Sequence, residues 1–126
     1  MSKTVLIVDD SMYMRSLISD ALESVGFKVV GQAENGEEAI DLALSLTPDL
    51  ITLDNILPDM IGTDILRVLK QEENIASKVI MVSAVGQQSV IQEGMKLGAC
   101  NYIVKPFTPE GIIEAANKAF EVIHEG

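Results

Sequence analysis

Short runs of branched apolar residues alternate along the chain with longer stretches in which apolar positions recur every three or four residues. "TVLIV" at 4–8 is apolar without a break and reads as a strand buried on both faces, stopped by Asp9 and Asp10. From Ser11 to Val25 the residues Met14, Leu17, Ile18, Ala21, Leu22 and Val25 fall on one face of a helix that Gly26 ends. "FKVVGQA" at 27–33 is a second, more polar strand, nearer a sheet edge. A turn at Asn35-Gly36 then opens a helix through Ala39, Ile40, Ala43 and Leu44, which must end before Pro48. "DLITLD" at 49–54 is the third strand, followed by the loop "NILPDMIG" and a helix over Thr63–Glu73. "KVIMVS" at 78–83 is the fourth, and "AVGQQ" leads into a helix to Leu97, capped by Gly98. "NYIVK" at 101–105 is the fifth strand. After Pro106 the last helix starts at Thr108-Pro109 and is expected to reach His124.

Five strand–helix units with near-continuous apolar strands imply an α/β fold: a parallel sheet covered by helices on both faces. At 126 residues and 13.6 kDa the chain is expected to be one domain over 1–126, burying roughly two-thirds of its unfolded surface. Aromatics make up only 4% of residues, so aliphatic side chains and methionine must fill the core, and Met12, Met14, Met60, Met81 and Met95 read as core or near-site filler. The single cysteine, Cys100, reads as a buried small hydrophobe in a reducing compartment. A net charge of −10 argues against nucleic acid or an anionic membrane as partner. No apolar run is long enough for a membrane span or a signal peptide, which predicts a cytoplasmic protein.

Charge placement carries the chemistry. In an open parallel α/β sheet, ligands sit beyond the carboxyl ends of the strands. This chain puts Asp9 and Asp10 after strand one, Asp54 on strand three, Ser83 on strand four and Lys105 on strand five. Each alone has an ordinary reading as a cap, a turn residue or a surface lysine. Capping does not require them to converge, however, and one lysine cannot neutralise three carboxylates. A hard divalent cation can, and oxygen ligands without histidine or cysteine favour Mg²⁺. Asp10, Asp54 and a backbone carbonyl just beyond would hold it, with Asp9 acting through water. A metal beside a carboxylate and a lysine suits phosphoryl transfer, with Asp54 as nucleophile and Lys105 and Ser83 on the phosphoryl oxygens.

"VDD" at 8–10, "LDNILPDMIG" at 53–62, "VSA" at 82–84 and "YIVKPF" at 102–107 together resemble the receiver domain of two-component response regulators, over essentially the whole chain. The resemblance implies a flavodoxin-like (βα)5 doubly wound sheet of order 2-1-3-4-5. It implies phosphorylation of Asp54 by a CheA-like histidine kinase, with Mg²⁺ held by Asp9, Asp10, Asp54 and the carbonyl of Ile56. Ser83 would move toward the phosphoryl group, Tyr102 would swing inward behind it, and the Lys105–Pro106 bond would be cis. No output domain is expected, which makes the chain similar to the stand-alone, CheY-like chemotaxis receivers, and "SAVGQQ" resembles their loop after strand four. The implied protein is a monomeric switch, not an enzyme, that docks on the flagellar motor switch through helix four, strand five and helix five. Stand-alone phosphorelay receivers are the alternative.

Leu57 replaces a methionine common before the loop proline, a substitution expected to be silent. Ile56 and Val85 stand where receivers often carry polar groups, which predicts slow self-hydrolysis and a separate phosphatase. A Mg²⁺-dependent phosphohydrolase using an aspartate on strand one would have a second aspartate where Ser11 stands. A flavin carrier would need a neutral phosphate loop, and "DDSMYMR" would repel a phosphate.

Overall fold

The computed structural model describes residues 2–84 and 86–121; Val85 and His124 lie outside them. Five parallel strands, β1 (Thr4–Val8), β2 (Lys28–Ala33), β3 (Leu50–Asp54), β4 (Lys78–Ala84) and β5 (Asn101–Lys105), form one sheet in the order β2-β1-β3-β4-β5. The helices between and after them are α1 (Met12–Glu23), α2 (Gly36–Leu46), α3 (Gly62–Arg67), α4 (Gln88–Lys96) and α5 (Pro109–Ala119). The expected α/β class and flavodoxin-like strand order are both found.

Alternating side chains of the strands feed two apolar layers. On one face Leu6, Val8, Ile51, Leu53, Val79 and Met81 pack with Ala39 and Ala43 of α2 and Ile65 and Leu66 of α3. On the other, Val5, Ile7, Leu50 and Ile80 meet Ile18 and Leu22 of α1 and Ile112 and Ala116 of α5. Central strands buried on both faces explain why β1, β3 and β4 run largely apolar through their middles, with charge confined to their ends, while the edge strand β2 admits Gln32 within its length.

Local signals set the helix ends. Ser11 caps α1 by accepting from the Met14 N–H, Asn35 caps α2 through the Glu38 N–H, and Thr108 caps α5 through the Gly111 N–H, with Pro109 just inside. The helix expected over Thr63–Glu73 divides: α3 ends at Arg67 and the chain continues as a π-helical turn over Val68–Glu72. The last helix closes at Ala119, short of the expected end.

Two expectations about side chains are corrected. Cys100 is exposed, because its neighbour Ala99 takes the buried position at the entry to β5. Met12 and Met95 are exposed too, since they lie on the outer sides of α1 and α4, whereas Met81 is in the core. Leu57 is buried within the α2–α3 layer.

Candidate functional site

The sheet changes winding direction between β1 and β3, and the chain leaves both strands on carboxylates. Asp9 follows β1 with its N–H still bonded to the Ala33 carbonyl, and Asp54 is the last residue of β3. Both are buried, at 1% and 7% exposure, while Asp10 faces solvent. One oxygen from each of Asp9, Asp10 and Asp54 lies within 4.8 Å of the other two. From the end of β5, Lys105 Nζ donates to Asp9 Oδ2 at 3.0 Å and lies 3.4 Å from Asp54 Oδ1. The four charged residues singled out from sequence therefore meet at one rim.

The pocket is short of positive charge. Two carboxylates at this spacing repel by about 3 kcal/mol at an effective dielectric near 20, and one ammonium faces three of them. Burial pushes the Asp54 carboxyl up to about 6, the charges of Asp9 and then Asp10 add to the effect, and Lys105 opposes it. Burial also works against the Lys105 ammonium, but its hydrogen bond to Asp9 and the charges of Asp54 and Asp9 outweigh this and raise its pKa. An all-oxygen cluster with excess negative charge fits a hard divalent cation. The β3–α3 turn is closed by Gly62 N–H to the Asn55 carbonyl and Leu57 N–H to the Met60 carbonyl, bonds that do not draw on the carbonyl of Ile56.

Ser83, near the end of β4, is 1% exposed and donates through Oγ to Gln87 Oε1 at 2.8 Å. Tyr102 on the edge strand β5 is 44% exposed, its side chain turned outward. The Lys105–Pro106 bond is cis.

Three further residues also shape the rim. Arg15 reaches back from α1 to donate to the Asp9 carbonyl at 2.7 Å and to Gln32 at 3.1 Å, holding the β1–α1 turn. It stands one turn into the helix that follows Asp9, and that placement is its signal in the sequence. Gln87, within the stretch "SAVGQQ", accepts from the Ser83 hydroxyl. Asn55 is buried with its Oδ1 lacking a partner among the described residues. Among those residues no helix is long and apolar enough to cross a membrane.

Comparison with known proteins agrees with this architecture. Residues 5–117 match the response regulator receiver domain. The chain is 43% identical over 119 residues to the chemotaxis protein CheY of Thermotoga maritima, covering 94% of this chain and 98% of that protein. It is also 43% identical to the CheY of Bacillus subtilis over 118 residues, with the same coverages. A crystal structure of a CheX–CheY complex with BeF3 and magnesium from Borrelia burgdorferi superposes with a TM-score of 0.89 at 30% identity, covering 95% of this chain and 90% of that one. The chain belongs to the response regulator receiver family and is similar over most of its length to CheY proteins.

Proposed function

We propose that this receiver is a phosphorylation switch in which Asp54 accepts a phosphoryl group from the phosphohistidine of a CheA-like kinase. The observation that carries the reading is the convergence at the strand ends of Asp9, Asp10 and Asp54, with carboxylate oxygens within 4.8 Å of one another, and of Lys105, 3.0 Å from Asp9 and 3.4 Å from Asp54. A carboxylate oxygen of Asp54 attacks phosphorus, the phosphorus–nitrogen bond breaks, and the imidazole leaves with a proton from solvent. Lys105 binds a phosphoryl oxygen, and Ser83 Oγ, rotated from its resting partner, donates to another. Mg²⁺, held by Asp10, Asp54 and the Ile56 carbonyl, with Asp9 reached through water, would neutralise charge on the transferring group. Asp9 and Lys105 keep each other in place by their 3.0 Å bond.

Movement of Ser83 draws in the start of the β4–α4 loop and opens room for Tyr102, whose outward position is the resting one. The face of α4, β5 and α5 then changes shape for a partner in the cytoplasm. Alignment over 98% of the length of two CheY proteins favours the flagellar motor switch as that partner. Ile56 supplies no polar group to orient water, which favours a separate phosphatase, and the Borrelia neighbour pairs a CheY with a second protein, CheX.

Incubation with acetyl phosphate, with and without Mg²⁺, followed by intact mass measurement tests the reading. One acid-labile phosphoryl group is expected, dependent on Mg²⁺ and absent in Asp54→Asn. Labelling that persists in that variant places the nucleophile elsewhere.

A further inference from the structure

The Ser83 hydroxyl has a single proton to donate, and at rest it is given to Gln87. At 1% exposure Ser83 cannot exchange that partner for solvent. Gln87 is the residue that opens α4, yet its side chain makes no capping bond to that helix, so its amide is not occupied in holding the helix start. The residue thus serves β4 rather than α4.

Building on the phosphorylation reading, we infer that Gln87 is a positioning residue that latches the Ser83 hydroxyl at rest, in competition with the phosphoryl group, and so sets how readily the switch turns on. Recruiting Ser83 to a phosphoryl oxygen breaks the 2.8 Å bond to Gln87. The cost of that break belongs to the resting state, so an acceptor-free side chain at position 87 leaves the buried hydroxyl unsatisfied there and favours the active arrangement. Because Gln87 is also the first turn's anchor to β4, release of Ser83 unties the beginning of α4 in the same event.

The test is calorimetric titration with beryllofluoride, a phosphoryl mimic, in saturating Mg²⁺. Four proteins are compared: the parent, Gln87→Met, Ser83→Ala and the double variant. Gln87→Met keeps side-chain length and replaces the amide oxygen by a thioether sulfur, a far weaker acceptor. It should bind beryllofluoride about threefold to tenfold more tightly than the parent, the range a net hydrogen bond supplies. In the Ser83→Ala background the same substitution should have no effect, because the latch has lost its donor. Equal or weaker binding by Gln87→Met, or an effect that survives in Ser83→Ala, overturns the latch while leaving Asp54 phosphorylation standing. A parent protein that binds no beryllofluoride overturns both.

Discussion

At the scale of single residues, Asp54 makes a measurable commitment. Its folded carboxyl titrates at about 6 against an ordinary value of 3.8, so without metal the folded state holds a proton that the unfolded chain has already lost. The linked stability is fully present below 3.8 and is lost as pH rises through about 6. Urea titrations in a chelator should therefore find the protein weaker at pH 8 than at pH 4.5. Asp54→Asn should flatten that slope between pH 4.5 and 8 and be the more stable protein at pH 8. Ile56 makes a kinetic commitment: Ile56→Asn, which can orient water, should shorten the phosphoryl lifetime several-fold, whereas the parent should retain its label far beyond seconds. The charged residues were legible because carboxylates closing apolar strands are conspicuous and the parallel fold dictates where strand ends go. Cys100 was not, because one step along the chain moves a side chain between core and solvent. Gln87 and Arg15 were not, because a partner across a turn depends on helix rotation, which periodicity does not fix.

Elements hold the site through their ends. The N-terminus of α2 is satisfied twice: by Asn35, whose Oδ1 accepts from Glu38 N–H at 2.8 Å, and by Asp59, whose carboxylate accepts from the N–H groups of Gly36 and Glu37 at 2.7 and 3.0 Å. Those bonds hold the Asp59 carboxyl below the usual range and tie the β3–α3 loop to α2. Asn35→Ala should cost about 1 kcal/mol in chemical denaturation. At the other end of that loop, a Cβ on Gly62 would lie 2.8 Å from the Asp54 carbonyl oxygen and 2.9 Å from the Asn55 Cα, both backbone atoms. Gly62→Ala should therefore destabilise the fold by about 1–3 kcal/mol and slow labelling of Asp54 by acetyl phosphate, since the strand end must shift. All five strands and five helices were foreseen to within a few residues from period and caps. The π-helical turn after Arg67 was not, as Leu69 satisfies the apolar pattern in either kind of helix.

For the whole molecule, two apolar layers make a rigid sheet with its reactive groups gathered at one end. Folding builds the carboxylate cluster before any ion arrives, so a cation that binds only the folded chain should raise its stability by mass action. Millimolar Mg²⁺ should lift Tm, and the gain should vanish in Asp10→Ala, which removes a proposed ligand without disturbing the Asp9–Lys105 bond. An equal rise in that variant would point to general screening of the −10 charge instead.

The Lys105–Asp9 bond joins residues 96 positions apart, from the first strand's exit to the last strand's end. Until the ribosome has delivered that final strand, the emerging polypeptide carries its aspartates without the ammonium that holds them. Under the proposed function, loss of that strand alone would silence the acceptor, because Asp54 would keep its acidic neighbours and lose its cationic one.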